Sequence, residues 1–206
     1  MLHYTELPLG QSLEILSDAA REHRVSAHYV VAEDGTVYRL VPEDRVAWHA
    51  GRSWWRGRER LNETSIGIEV VNLWGDTNDY PAPQVAALIE LCHGILARHP
   101  AIVPRNVVGH SDVAPQRKID PGTRFPWKIL ADAGIGLFPE KVVAPFEGDL
   151  QAGLQRLGYR PPGEVSAVEI VKAFQRHFRA DRVDGADDAE TRARLADLLD
   201  QVGNAP

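Results

Sequence analysis

The sequence is poor in cysteine and methionine, with one of each in 206 residues, and it lacks long apolar runs. A single cysteine cannot form a disulfide within the chain, so cysteine usage does not indicate a compartment. No stretch approaches the roughly 18 apolar residues of a membrane helix, and we expect no membrane span. The 23 basic and 29 acidic residues give a net charge of −6. Because nucleic-acid-binding surfaces are usually basic, we expect no nucleic-acid partner, and no feature predicts a protein partner.

What the chain does contain is typical of a globular protein with a buried core, since 44% of its residues are hydrophobic and 25% are charged. Its length fits one large domain, or a larger domain with a small module. The composition changes near the middle of the second half, where residues 139–148 are rich in proline and glycine and resemble a linker. We therefore predict a domain over 1–138, that linker, and a second module over 149–206.

Strand patterns recur in the first domain. Two β-rich runs, 27–31 and 36–41, flank an Asp-Gly pair and predict a hairpin. A further strand is predicted over 65–72, where apolar residues alternate, and a short one over 106–110. Because helical patterns lie between these strands, we expect an α/β fold with a central mixed sheet flanked by helices.

Helix patterns separate the strands. The clearest apolar stripe follows Pro83 and includes Cys92, which we interpret as a small core residue. Ser12 is predicted to be the N-cap of an earlier helix whose apolar side includes Leu16 and Ala20.

The second module has three short apolar stripes of helical spacing. They lie within 150–157, 170–178 and 195–202, and Gly158 follows the first. This pattern predicts a small all-α module of three helices. A module of this size is marginally stable by itself, so we expect it to pack against the first domain.

Three residues suggest a metal site. His110 lies at the end of a predicted strand, Asp120 follows it in the polar loop 109–122, and His3 lies at what would be another strand end. Two histidines and one carboxylate leave an open fourth position on zinc, which is the pattern of a catalytic site. Taken singly, each of these residues is also typical of an ordinary polar loop.

Glu69 lies in the middle of the alternating strand 65–72 and allows two interpretations. It could be a solvent-facing strand residue. Alternatively, it could point into a cleft and accept a proton from a water molecule activated by a metal.

The loop 47–57 is unusually rich in tryptophan. Trp48 and His49 are candidates for lining a substrate groove, with a structural role as the alternative. Asn62 is a further candidate contact. Arg117 could meet a peptide carboxylate or be a solvated loop charge.

The sequence resembles the zinc-dependent N-acetylmuramoyl-L-alanine amidases, which share their fold with phage lysozyme-amidases and peptidoglycan recognition proteins. Seven runs match in the family order: HYT at 3–5, VSAHY at 25–29, AWHAG at 47–51, NETSIGIE at 62–69, NVVGHSD at 106–112, APQRKIDPG at 114–122 and FPW at 125–127. The resemblance is greatest to cell-envelope amidases of Gram-negative bacteria that carry a C-terminal helical module.

The resemblance implies that His3, His110 and Asp120 bind Zn²⁺, the expected cofactor. It also implies that Glu69 is the general base and Lys118 the electrophilic group. The expected reaction is hydrolysis of the amide between the lactyl group of N-acetylmuramic acid and L-alanine, in peptidoglycan or its muropeptide fragments. The location that follows from this substrate is the cell envelope or periplasm.

The second module resembles peptidoglycan-binding modules over a shorter stretch, through AFQRHF at 173–178, Asp184-Gly185, Asp188 and Thr191. A module that holds polymer raises the local substrate concentration without entering the reaction. A chain ending near Gly148 would then still cleave soluble fragments.

Two alternatives remain at this level. One is a non-catalytic protein that binds or senses peptidoglycan, although such a protein needs neither a complete ligand set nor a base. The other is a phage-type endolysin, which would catalyse the same reaction in a different biological role.

The beginning of the chain departs from the family pattern, in which several apolar residues precede the first zinc-binding histidine. Only Met1 and Leu2 precede His3, and residues 1–6 have no signal-peptide features. Two residues span at most about 7 Å. We therefore expect an insecure N-terminal strand, strong stabilisation by zinc, and a natural start upstream of Met1.

Overall fold

The computed structural model describes residues 1–18, 25–141 and 143–203. The strands are β1 (Leu2–Tyr4), β2 (Tyr29–Val31), β3 (Val37–Arg39), β4 (Trp54–Trp55), β5 (Arg58–Glu59) and β6 (Ile68–Val70). The helices are α1 (Leu9–Ser17), α2 (Ala82–Arg98), α3 (His110–Val113), α4 (Trp127–Asp132), α5 (Leu150–Leu157), α6 (Ala167–Phe178) and α7 (Ala189–Gly203). None of these helices, in the part of the chain described, is long and apolar enough to cross a membrane. Ala20 lies outside the described residues.

The central sheet has the strand order β1-β6-β2-β3. β1 and β2 both pair with β6 in parallel, and β3 pairs with β2 antiparallel, so the predicted mixed sheet and hairpin are confirmed. In the β1–β6 register His3 lies opposite Glu69. Because directly opposed residues project from the same face of a sheet, the register places these two side chains next to each other.

β1 is more secure than its short length suggests. The Met1 ammonium group donates to the Ile66 carbonyl (2.8 Å), and Ile68 N–H donates to the Met1 carbonyl (3.0 Å). On the other side of the strand, Leu2 N–H donates to the Val108 carbonyl (2.9 Å). The expectation of an insecure strand was therefore wrong, because β1 has hydrogen-bonded neighbours along both edges.

α2 covers the sheet with the apolar stripe predicted from the sequence. Val85, Leu88, Cys92 and Ile95 are buried along it, which confirms that Cys92 is a core residue. Gln84 is also fully buried, and its amide donates to the carbonyls at the ends of two strands, Val31 (3.0 Å) and Val71 (2.9 Å). These bonds fix the start of α2 on the sheet.

Ser12 does not cap a helix, contrary to the prediction. α1 begins earlier, at Leu9, and the Ser12 hydroxyl donates back to the Pro8 carbonyl (3.0 Å) within the helix. A serine can form either bond, and the spacing of apolar residues does not distinguish the two positions.

The strand predicted over 106–110 is also wrong. A 3₁₀ turn occupies Pro104–Asn106, Gly109 alone forms a bridge to Leu2, and α3 begins at His110. The chain turns at Gly109 because its N–H donates to the Asp112 carboxylate (2.7 Å), which closes the first turn of α3. His110 therefore starts a helix instead of ending a strand.

The three helices predicted for the C-terminal module are confirmed as α5, α6 and α7. Their apolar core continues into the first domain without a break. From the first domain it includes Ala50, Trp55, Leu61, Val108, Val113 and Ala114. From the module it includes Leu150, Leu154, Leu157, Tyr159, Ile170, Phe174, Leu195 and Leu198. The module therefore packs on the first domain as expected, while the exact boundaries at 138 and 149 stay predictions.

A chain truncated after Gly148 is expected to lose its stable fold. Exposing Trp55, Leu61, Val108 and Val113 would remove roughly 1.5–3 kcal/mol of burial each, which together approach the about 5–15 kcal/mol that stabilises a typical domain. Solubility and thermal unfolding followed by circular dichroism would test this, with deletion of the residues after Gly203 as the control. A truncated chain that unfolds cooperatively at an unchanged temperature would instead support the expectation from the sequence that a chain ending near Gly148 still cleaves soluble fragments.

Candidate active site

Three buried side chains converge on one point. His3 comes from β1, His110 from the first position of α3, and Asp120 from the following loop. The Nδ1 atoms of His3 and His110 are 3.0 Å apart, and they lie 3.0 and 3.1 Å from Asp120 Oδ2. Tetrahedral zinc with bonds of about 2.0–2.1 Å holds its ligand atoms roughly 3.3 Å apart. The three atoms therefore fit a zinc ion with one open coordination position.

The Nε2 atoms of His3 and His110 point away from Asp120, and each has a partner that orients its ring. His110 Nε2 donates to the Ala50 carbonyl (3.0 Å), and His3 Nε2 lies 3.1 Å from His49 Nδ1. A histidine that donates from Nε2 carries its lone pair on Nδ1, which is the atom that faces the metal position. Residues 49 and 50 thus fix the orientation of both rings.

The protonation states suit a cationic ligand. Burial lowers the pKa of His3 to about 4, so this ring is neutral near pH 7. Burial alone would raise the pKa of Asp120, but the close approach of the His110 and His3 rings outweighs it and holds that pKa well below its usual range. A neutral imidazole and an ionised carboxylate are the forms that ligate zinc.

A cleft of about 190 Å³ opens above these three side chains. It is also lined by Glu69, Lys118, Trp48, His49, Val25, Ile15 and Leu16. Burial raises the pKa of Glu69 well above its usual value, as does the nearby negative charge of Asp120, while Lys118 opposes the shift. Glu69 therefore lines the cleft beside the three converging side chains, which favours the interpretation in which it points into a cleft.

The candidate substrate contacts separate into two groups. Trp48 is 48% exposed and lines the cleft, so its ring is accessible to a ligand. His49 also lines the cleft, but it is buried and packs edge-on against His3, with ring centroids 5.1 Å apart. The sequence alone did not indicate that His49 contacts His3.

Asn62 and Arg117 both support the loop behind the cleft. Asn62 Oδ1 accepts from the N–H groups of His49 (3.0 Å) and Ala50 (2.7 Å). The Arg117 guanidinium donates to the carbonyls of Ala50 (2.9 Å) and Arg52 (2.8 Å). Both side chains are engaged with backbone atoms of this loop, so they hold the partner of His110 in place.

A buried pair of histidines and an aspartate beside a strand carboxylate, on a mixed sheet, defines a hydrolase site that can hold a metal. Residues 1–123 match the family model described as N-acetylmuramoyl-L-alanine amidase. The chain is 40% identical to the N-acetylmuramoyl-L-alanine amidase AmiD of Escherichia coli (strain K12), over 98% of this chain and 82% of that protein. It is 46% identical to the 1,6-anhydro-N-acetylmuramyl-L-alanine amidase AmpD of Enterobacter cloacae, over 50% of this chain and 54% of that protein.

Solved structures agree with this assignment. The structure of AmiD from E. coli in complex with anhydro-N-acetylmuramic acid-L-Ala-D-γ-Glu-L-Lys superimposes on this chain with a TM-score of 0.87 and 38% sequence identity. The match covers 99% of this chain and 89% of the AmiD chain. AmpDH3 from Pseudomonas aeruginosa superimposes with a TM-score of 0.89 and 38% sequence identity, and the match covers 98% of this chain and 91% of the AmpDH3 chain. The chain belongs to the N-acetylmuramoyl-L-alanine amidase family. It is an enzyme that hydrolyses the amide between the lactyl group of N-acetylmuramic acid and L-alanine, so the non-catalytic alternative is rejected.

Proposed function

We propose that this amidase uses Zn²⁺ to release stem peptides from muropeptides that carry the 1,6-anhydro sugar, in the turnover of cell-wall fragments within the cell envelope. The convergence of His3, His110 and Asp120 below a cleft that contains Glu69 carries the proposal. The relatives support the substrate class, since the AmiD structure contains an anhydro-muramyl peptide and AmpD is named for the 1,6-anhydro sugar.

The three ligands would hold zinc through two nitrogen atoms and one oxygen atom, which leaves room for a fourth ligand on the cleft side. Bound zinc supplies Lewis acidity, which makes a water molecule acidic near neutral pH and polarises the scissile carbonyl group. Cys92, the only thiol, is in the core behind the sheet, so the proposed site does not depend on thiol oxidation.

Glu69 is the proposed general base. It accepts the proton of the attacking water and later returns it to the amine of L-alanine as the C–N bond breaks. The products are a lactyl carboxylate and a peptide ammonium group: one proton of water reaches the nitrogen through Glu69, and the other is lost by the new carboxyl group and taken up by the amine. Glu69 lies opposite His3 in the sheet register, and this brings the Glu69 carboxyl group beside the proposed metal position.

Lys118 and Trp48 complete the proposed site from the cleft walls. The Lys118 ammonium stabilises the negative charge that develops on the carbonyl oxygen of the amide. The Trp48 ring offers an exposed apolar face on which a sugar ring or an apolar part of the stem can pack.

Product analysis by mass spectrometry tests the proposal. The purified chain would be incubated with an anhydro-muropeptide, with the same muropeptide carrying an ordinary reducing sugar, and with intact sacculi. We expect release of peptides with a free L-alanine amine, fastest from the anhydro form. Cleavage confined to intact sacculi would contradict the turnover role and favour the endolysin alternative. The Glu69→Gln protein is the inactive control.

A further inference from the structure

Asp112 is a buried carboxylate that the proposed reaction does not use. It lies two residues after His110 in α3 and is 1% exposed. Its Oδ2 accepts from Gly109 N–H (2.7 Å) and from the ring of His177 (2.8 Å), and its Oδ1 accepts from the Tyr159 hydroxyl (2.6 Å). One of its three donors therefore comes from the turn that carries His110, and the other two come from the C-terminal module.

α3 needs such support because it has only four residues. A helix of one turn is not stable by its own hydrogen bonds, so tertiary contacts decide where it lies. The same turn also contacts the backbone beside the other two metal ligands. Gly109 bridges to Leu2, next to His3, and Ser111 N–H donates to the Asp120 carbonyl (2.9 Å).

The two donors from the module are themselves held rigidly. The Tyr159 ring is fully buried and packs edge-on against Trp55, with centroids 5.1 Å apart. The His177 ring stacks on Trp127 of the first domain, with centroids 3.6 Å apart. A displaced module would remove two of the three hydrogen-bond donors of Asp112 and so release the carboxylate that closes the first turn of α3.

We propose that the C-terminal module positions the metal ligand His110 through Asp112, with Tyr159 and His177 as the positioning residues. The module then contributes to metal affinity in addition to any contact that it makes with peptidoglycan. This inference rests on the proposed zinc site. It assigns a role to two residues of the module that the amide-hydrolysis mechanism leaves unexplained.

Tyr159→Phe tests the inference, because it keeps the ring and removes the hydroxyl. We expect the zinc dissociation constant, measured by competition with a chelator, to rise about 10-fold, the low end of the effect of groups that orient metal ligands. The visible absorption spectrum of the Co²⁺-substituted protein should also change, since it reports the ligand geometry. Thr191→Val is the matched control. Its buried hydroxyl accepts from Gln175 (3.1 Å) and Arg179 (2.9 Å) inside the module, so it should lower the melting temperature without changing either metal readout.

A second pair of variants protects the test against misfolding. His177→Leu removes the donor, whereas His177→Asn retains an N–H group near the position of Nδ1. We expect His177→Leu to weaken zinc binding and His177→Asn to restore most of it. Folded Tyr159→Phe and His177→Leu proteins with wild-type zinc affinity and an unchanged Co²⁺ spectrum would overturn the inference. A wild-type protein that binds no zinc would instead refute the proposed metal site, so the two failures are distinguishable.

Discussion

Glu69→Gln is expected to lower kcat by about 10²–10⁴-fold, the usual contribution of a general base. Glutamine has nearly the same size as glutamate but cannot accept the proton of the attacking water. Because Glu69 is not one of the three proposed metal ligands, zinc content and melting temperature should stay close to the wild-type values. Steady-state kinetics on a soluble muropeptide, together with elemental analysis, would measure both effects.

The pH profile gives an independent check of this role. Burial raises the pKa of Glu69, so the carboxyl group becomes protonated, and inactive as a base, at a pH above the ordinary glutamate range. The wild-type kcat/KM should therefore fall as the pH decreases through that raised pKa, and Glu69→Gln should lack this acid limb. Glu6→Gln is a matched control, because Glu6 also lines the cleft and its replacement keeps an acceptor for the Tyr4 hydroxyl. Near-normal turnover in Glu69→Gln would show that another group is the base.

Removal of the metal is expected to abolish activity and to lower the melting temperature by roughly 8–16 °C. Zinc at about 1,000 times its dissociation constant stabilises the folded state by about 4 kcal/mol, and 1 kcal/mol corresponds to about 2–4 °C for a chain of this size. Without the ion, three buried polar side chains lose their common partner. Chelation followed by activity assays, elemental analysis and differential scanning calorimetry would measure these changes.

Returning zinc to the chelated protein should restore both activity and melting temperature, whereas Asp120→Ala should resemble the metal-free protein and respond little to zinc.

The depressed pKa of His3, about 4, adds a pH dependence to the stability of the metal-free form. The unfolded chain binds a proton at this histidine near its ordinary pKa of about 6.5, so the metal-free protein should lose stability as the pH falls from that value toward the folded pKa. Full activity in a protein shown to contain no metal would contradict the zinc assignment.

Local sequence patterns predicted the helices well because a helix depends on neighbours three and four residues away. The apolar stripe of α2 and the three stripes of the module all formed helices. The two module helices that begin at Leu150 and Ala167 have side-chain caps, in which Asp149 accepts from Ala152 N–H (2.8 Å) and Ser166 from Glu169 N–H (3.3 Å). Short strands were predicted less accurately, since a bridge of one residue at Gly109 depends on the path of a distant chain segment.

The sequence by itself determined the family, the types of residue in the proposed metal site and the helical nature of the second module. Only the tertiary structure decided that Glu69 faces the cleft, since an alternating strand has two faces and the pattern does not say which one meets substrate. The tertiary structure also showed that Asn62 and Arg117 form hydrogen bonds with the backbone of the loop 47–57. It showed in addition that Asp112 accepts hydrogen bonds from the C-terminal module. The physical reason is distance along the chain: His3 meets His110 and Asp120 across 107 and 117 residues, and such contacts depend on how every intervening element packs.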